Sequence, residues 1–298
     1  MSNFEKVVEK YKEIQLRACS ILEKCDTKSR FSNDNWTKDI GFGTTNVINK
    51  GAKIEKGAIN FSRVSGECTP AMAKTLGKQG KTFSATGVSS IFHPTNPFVP
   101  IIHMNIRYFE INTGECWFGG GIDLTPHYVD ISEAKVFHSK LKDICDKYNP
   151  SFYNNFKKNA DDYFYIKHRS ENRGIGGIFF DHLKPSDKNG FDSLLNFTLE
   201  LGLQYPNIYS KILDSKSSLP YDENEIEWQN VRRSRYVEFN LIYDRGTKFG
   251  LETNGNTESI LVSMPPNAQW VYNHSVKSNS NEEKTMNFLK KEINWLEL

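Results

Sequence analysis

The sequence is poor in the features that mark several well-defined classes of protein. Its five cysteines are an odd number and include no Cys-x-x-Cys pair, so neither a disulfide framework nor a zinc knuckle is predicted. We expect most of them to be small buried thiols in a reducing compartment. A complete glycine-rich fingerprint between a strand and a helix is also missing, which argues against a dinucleotide-binding fold.

The chain also has little net charge and no long apolar run. The 38 Lys and Arg residues nearly balance the 36 Asp and Glu residues, and the two signs are interspersed along the chain. The resulting net charge of +2 gives no reason to expect a nucleic acid or another polyanion as a partner. Because no apolar run reaches the length of a membrane span and the first residues lack a hydrophobic signal core, we expect a soluble, cytoplasmic protein.

Aromatic residues are abundant by contrast, with 20 Phe, 13 Tyr and 5 Trp. Such a composition suits a flat apolar ligand, and it equally suits an ordinary core. No internal repeat, linker or low-complexity tract divides the chain. We therefore predict one domain over residues 1–298, of the α+β class, with antiparallel strands flanked by α-helices.

The segment 101–111 carries the strongest pattern in the chain. Apolar and polar residues alternate with period two, which predicts a strand with two different faces. One face is apolar and anchors the strand to a core, whereas the other presents His103, Asn105 and Arg107. An imidazole, an amide and a guanidinium in a row can bind an anion and move a proton.

The flanks of this strand are specialised too. Pro94, Pro97 and Pro100 fix an extended loop before it, and residues 112–114 predict a hairpin turn after it. Three adjacent glycines at 119–121 then precede Asp123, so a ligand can approach the backbone closely beside a carboxylate. The alternative is an ordinary hairpin with a solvated outer face.

The second half of the chain predicts more helices and a second hairpin. Residues 191–214 suggest two helices around Gly202 and Pro206, and residues 222–233 suggest a charged helix. After that helix, apolar residues alternate with others up to Tyr243, which predicts a strand and a hairpin within 235–250.

Several motifs in one order carry a family resemblance. They are HPTNPFVPIIHMNIRYFE, WFGGGIDLTP, DDYFYIKHR with RGIGGIFFD, and RYVEFNLIYDRGTKFGL with ESILVSMPP. Together they resemble the oxygen-dependent coproporphyrinogen-III oxidases of haem and porphyrin biosynthesis. The motifs run from about residue 87 to 270.

The resemblance implies a fold and an activity. The fold would be a large curved antiparallel sheet flanked by helices, in a homodimer. The enzyme would convert the ring A and B propionates of coproporphyrinogen III to vinyl groups, giving protoporphyrinogen IX, CO2 and H2O2. The co-substrate would be O2, with no organic cofactor and no required metal.

The resemblance also implies roles for individual residues. Those expected to be catalytic are His103 as a proton donor, Asp123 near the pyrrole N–H groups, and Arg107. Those expected to contact substrate are Ser89, Asn105, Ile106, Arg107, Arg245, Asn254, Gly255 and Asn256. The last three depart from the family, in which Gly-Gly-Arg is common, so this chain lacks the guanidinium that the family has there.

Physical chemistry supports this reading, because a tetracarboxylate with an apolar ring needs an aromatic cavity and a few guanidinium groups. Two alternatives remain open. One is an oxygenase that uses manganese, iron or copper, with ligands at positions that some bacterial relatives suggest: His93, His103, His138 and His168. The other is a tetrapyrrole carrier without catalytic activity, which would keep Arg107 and Arg245 but would not need His103 or Asp123.

Overall fold

A seven-stranded antiparallel sheet lies at the centre of the structure, a computed structural model that describes residues 2–68, 82–252 and 255–298. The strand order is β1-β2-β3-β4-β5-β6-β9, and β7 and β8 form a separate two-stranded sheet. The strands in the described residues are β1 (Ser32–Lys38), β2 (Gly41–Asn49), β3 (Ile54–Glu67), β4 (Thr82–Pro94), β5 (Ile101–Ile111), β6 (Cys116–Thr125), β7 (Tyr165–Ile166), β8 (Glu171–Asn172) and β9 (Gly176–Leu183).

Helices flank this sheet, so the predicted α+β class is confirmed. The α-helices in the described residues are α1 (Asn3–Asp26), α2 (Ile131–Tyr148), α3 (Phe152–Tyr163), α4 (Phe191–Lys216), α5 (Glu223–Ile242), α6 (Arg245–Glu252), α7 (Thr257–Leu261) and α8 (Asn281–Phe288). None of the helices in this part of the chain is both long and apolar enough to cross a lipid bilayer.

Strand β5 has the two faces that its alternation predicts. The side chains of Ile102, Met104, Ile106 and Tyr108 are almost fully buried, on what we call the core face of the sheet. Helices α1 and α4 pack against each other and against this face. The intervening side chains are half-buried on the opposite face, which we call the site face.

Helix α4 is continuous, so the prediction of two helices around Gly202 and Pro206 is wrong. Pro206 lies inside the helix, where tertiary packing outweighs its cost in a helix interior. Gly202 does not interrupt the helix either. A Cβ atom at this position would come within 2.9 Å of Ile14 and 3.1 Å of Ile106, so the glycine allows α4 to approach α1 and β5 closely.

The prediction of a second hairpin within 235–250 is also wrong. Helix α5 begins at a capping box on Asp222 and runs to Ile242, and α6 follows at Arg245. Tyr236, Phe239 and Asn240 have helical spacing and are all buried, whereas Leu241 is exposed. The alternation of apolar residues in this segment is too short to indicate a strand, and the pattern of buried residues follows the period of a helix.

Two parts of the chain border the site face. The segment 255–264 lies over β2 and β3, because Thr45 Oγ1 is 2.5 Å from Ser259 Oγ and Lys38 Nζ donates to the carbonyl of Gly255 at 2.8 Å. On the opposite side, α3 packs on β9. The middle of the site face, on β4, β5 and β6, lies between these two borders.

Candidate active site

Strand register brings the predicted site residues together on the site face. Ser89 on β4 pairs with Asn105 on β5, and Asn105 pairs in turn with Gly121 on β6. His103 pairs with Asp123 in the same ladder. Because side chains alternate between faces along each strand, these residues all point to the site face.

Asp123 and His103 form a hydrogen-bonded pair that a buried arginine completes. Asp123 is only 1% exposed, and its Oδ1 lies 3.1 Å from His103 Nδ1. Arg173 Nη2 donates to both carboxylate oxygens of Asp123 at 2.8 Å. Both oxygens are thus occupied by protein donors.

The pKa of the Asp123 carboxyl determines which tautomer His103 adopts. Burial would raise this pKa, but the Arg173 guanidinium and His103 outweigh burial and lower it. The carboxylate is therefore ionised and can only accept hydrogen bonds, so His103 Nδ1 must carry a proton. The other ring nitrogen, Nε2, is then the one available to exchange a proton with a ligand.

Arg173 is almost completely buried in an aromatic cage. Its guanidinium carbon lies 4.3 Å from the ring centroid of Phe164, 4.8 Å from that of Tyr236 and 4.6 Å from that of Phe239. Nη1 donates to Asn240 Oδ1 at 2.9 Å. Asp123 and these ring faces together stabilise a charge that burial would otherwise make costly.

Arg107 and Arg245 approach each other near Asp181. The Arg107 side chain passes over Gly119, where a Cβ atom would come within 2.7 Å of Arg107 Nε. Arg107 Nη2 lies 2.9 Å from Asp181 Oδ1. Arg245 is more exposed, and its guanidinium carbon lies 5.0 Å from the ring centroid of Tyr163. Burial raises the pKa of Asp181, but the Arg107 guanidinium and His182 together outweigh burial, so the net shift is downward.

The remaining predicted substrate contacts are less uniform. The Ile106 side chain lies fully buried on the core face, so only its backbone can meet a ligand on the site face. Asn256 caps α7, because its Oδ1 accepts from Ser259 N at 3.2 Å, and Gly255 accepts the hydrogen bond from Lys38. Asn254 lies outside the described residues.

The four histidines of the metal alternative have separate surroundings. His138 has both ring nitrogens in hydrogen bonds with a tyrosine hydroxyl and a backbone carbonyl, and burial lowers its pKa to about 3. His168 bonds a tyrosine hydroxyl and a glutamate, and His93 bonds the carbonyl of Ser263. Among the described residues, no three His, Cys, Asp or Glu side chains are grouped so that they could hold a metal ion.

Sequence reasoning missed the roles of Arg173 and Asp181. Both stand in the segment RGIGGIFFD, which enters the sequence-based prediction only as a motif of the family resemblance. A useful signal was present in each case, because a charged residue at either end of a strand that is otherwise apolar and glycine-rich needs a partner of opposite charge. The sequence could not identify that partner.

The site face therefore combines a histidine hydrogen-bonded to a buried carboxylate with two accessible guanidiniums above a glycine-rich floor. This arrangement is typical of an enzyme that binds a carboxylate ligand and transfers protons. The family model of coproporphyrinogen III oxidase matches residues 6–295, and the chain belongs to that family.

Individual relatives agree with the family model. The chain is 44% identical over 292 residues to oxygen-dependent coproporphyrinogen-III oxidase of Francisella philomiragia subsp. philomiragia. This alignment covers 93% of this chain and 94% of the relative. The chain is also 44% identical over 301 residues to the chloroplastic enzyme of Glycine max, covering 96% of this chain and 77% of the relative. The Drosophila melanogaster enzyme is 44% identical as well, with 95% and 76% of the two chains covered.

The Arg173–Asp123 ion pair makes a stability prediction. Arg173→Met should lower the free energy of unfolding by about 3–5 kcal/mol, because it leaves the Asp123 charge buried without its main partner. Adding Asp123→Asn should recover part of that loss, since the uncompensated charge is then gone. Denaturant unfolding of the two single variants and the double variant measures this coupling. Losses that add to within about 0.5 kcal/mol would contradict the proposed pairing.

Proposed function

We propose that this protein is an oxygen-dependent coproporphyrinogen-III oxidase. Its substrate would be coproporphyrinogen III, whose ring A and B propionates become vinyl groups in protoporphyrinogen IX. Membership in the family supports the reaction, and one structural observation carries the assignment to this site. That observation is the pair of His103 and Asp123 beside Arg107 on the site face.

Substrate binding would use the two accessible arginines. Arg107 and Arg245 would bind one propionate through charge-assisted hydrogen bonds, and Ser89 and Asn105 would contact the macrocycle between them. The glycines at 119 and 121 keep the floor free of bulky side chains, so a ring can approach the backbone. The stacked rings of Tyr163 and Phe179, with centroids 4.1 Å apart, would form an apolar wall.

The reaction needs a proton as well as an oxidant. Each propionate loses its carboxylate as CO2, and its β-carbon loses two electrons and a proton as the vinyl double bond forms. With one further proton, O2 takes up these equivalents and leaves as H2O2, so the atoms and electrons balance. His103 in its imidazolium form, with a proton on each ring nitrogen, would supply that further proton from Nε2 and would take one back from solvent before the next turnover.

In this proposal Asp123 acts through His103. Asp123 is 1% exposed and its oxygens already accept three hydrogen bonds, so only one acceptor position, on Oδ2, is left for a direct contact with pyrrole N–H groups. Asp123 therefore orients the imidazole and fixes the proton on Nδ1, and Nε2 faces the ligand.

We propose further that O2 is the only co-substrate and that no metal is needed. The test is turnover of coproporphyrinogen III by protein that has been treated with a chelator and assayed for metals. Product is followed by chromatography in air, with an anaerobic control. Product that forms in air without metal supports the proposal, whereas activity that returns only with manganese, iron or copper favours the alternative with histidine ligands. Binding without turnover in either case would favour a carrier.

The role of His103 makes a kinetic prediction. His103→Asn should lower kcat by about 10²- to 10⁴-fold, because the proton donor is lost, and it should leave affinity for coproporphyrin III nearly unchanged. Asp123→Asn should lower kcat strongly as well. His274→Asn is the control, since this histidine lies against Trp228 on another part of the surface. Turnover by His103→Asn close to that of the control would remove His103 from the mechanism.

We propose that the protein acts as a homodimer in the cytoplasm. The surface that supports dimerisation includes exposed apolar side chains at the end of α5, on α6 and in the segment after α7. They are Leu241, Ile242, Phe249, Leu251, Trp270, Val271 and Tyr272. Such a concentration of large exposed apolar groups is typical of a protein–protein interface.

Dimerisation can be tested with one charged substitution. Leu241→Glu should convert a dimer to a monomer, because a carboxylate would be buried in the apolar contact. Leu16→Glu is the matched control, since Leu16 on α1 is also exposed and lies outside this surface. Light scattering after size-exclusion chromatography gives the mass of each form. A monomeric wild type, or a Leu241→Glu variant that remains dimeric, would exclude this interface.

A further inference from the structure

Asp181 links the two arginines that the proposed function assigns to substrate binding. Arg107 Nη2 lies 2.9 Å from Asp181 Oδ1, and Arg245 Nη1 lies 3.9 Å from Asp181 Oδ2. Each guanidinium thus faces a different oxygen of one carboxylate. Arg107 is 37% exposed and Arg245 is 62% exposed at the side chain, so both remain accessible to a ligand.

The end of strand β9 fixes the position of this carboxylate. The register between β6 and β9 shifts between Phe118 and Gly120, so β9 has a bulge where it passes Gly119. His182 adopts a left-handed conformation at this bulge, with φ of 50°, and its backbone N–H donates to Asp181 Oδ1 at 3.0 Å. A bulge of this kind redirects a side chain, and here it aims Asp181 at the arginines.

The arginines themselves have few other strong partners in the described residues. Arg107 donates to Asn105 Oδ1 at 3.3 Å, a neutral and long hydrogen bond. The guanidinium carbon of Arg245 lies 5.0 Å from the ring centroid of Tyr163 and 5.5 Å from that of Phe179. These contacts orient each group weakly, whereas Asp181 is the carboxylate that both guanidiniums share.

The formal charges of Arg107, Arg245 and Asp181 indicate which kind of ligand fits this arrangement. Two guanidiniums and one carboxylate leave one positive charge, which one more carboxylate would neutralise. Without Asp181 the two cations would repel each other and turn towards solvent. With Asp181 they stay together, and each keeps donors that a ligand can use, since a guanidinium has five N–H groups.

We propose that Asp181 is a positioning residue that holds Arg107 and Arg245 together so that both bind one propionate of the substrate. This inference rests on the proposed function, because it needs a carboxylate ligand at the site. Asp181 does not contact the reacting atoms. Its effect should appear in substrate affinity rather than in the chemical step.

The main test compares Asp181→Asn with Asp162→Asn. Asp162 lines the same surface cavity as Asp181 and Arg245, but its partners are Lys158 and Lys291, each at 2.8 Å. The control therefore removes one negative charge nearby without touching the arginine pair. We expect Asp181→Asn to raise KM for coproporphyrinogen III about tenfold, with kcat within about threefold of wild type, because the guanidiniums lose a shared charged partner. Asp162→Asn should change neither by more than about twofold.

A second comparison separates positioning from a merely structural role. In an Arg107→Met background, Asp181→Asn should raise KM by less than about threefold, because there is no longer an arginine pair to hold. Asp181→Glu keeps the charge but moves it by one methylene, so it should give an intermediate KM. This variant also serves if Asp181→Asn does not fold. Thermal unfolding of every variant checks that the fold is retained.

The outcomes are distinct. A lower KM in Asp181→Asn would mean that Asp181 competes with the substrate for the arginines, and an equal KM would mean that it does not position them. An increase that persists at full size in the Arg107→Met background would also overturn the proposal. A wild-type protein without turnover would count against the proposed function instead. Affinity for the unreactive coproporphyrin III, measured by fluorescence titration, would still report whether Asp181 positions the arginines.

Discussion

The buried ion pair between Asp123 and Arg173 is the interaction on which the site depends. It joins strand β6 to the segment before β9, and through Asn240 it joins both to helix α5. Two buried charges of opposite sign are tolerated here because they neutralise each other and three aromatic rings surround the cation. The same carboxylate accepts a hydrogen bond from His103, so the ion pair that stabilises this region also places a proton on Nδ1 of the imidazole.

The core face of the sheet holds the fold together, and the site face carries the candidate site residues. On the core face, large apolar side chains pack under α1 and α4, and this packing fixes the positions of β3, β4, β5 and β6. On the site face, Gly119 and Gly121 leave the floor low enough for Arg107 to cross it. A bulky side chain at 119 would displace the arginine, so the glycines serve the neighbouring cation as much as any ligand. Rigid packing on one face thus makes precise placement on the other possible.

The sequence predicted the central hairpin well because its information is local. In β5 the alternation is long, the turn is marked and the faces differ strongly in polarity, so period, register and burial could all be read together. The same pattern gave a wrong prediction for the end of helix α5, because the few alternating residues before Tyr243 fit a helical face as well as a strand. The Asp123–Arg173 pair spans 50 residues, and nothing local in either segment indicates it. The extent of the domain and the residue roles at the site stay predictions.

The three arginines of the site show how surroundings decide what one residue type does. Arg173 is enclosed by aromatic rings and held by Asp123, so it cannot reach a ligand and acts only on its neighbours. Arg107 and Arg245 are partly exposed and share a single carboxylate, which leaves them a net positive charge. The first case gives a fixed counter-charge for Asp123, and the second leaves guanidinium N–H donors that the proposed function assigns to a substrate carboxylate. Burial and the number of carboxylate partners, rather than the side chain itself, therefore separate positioning from recognition.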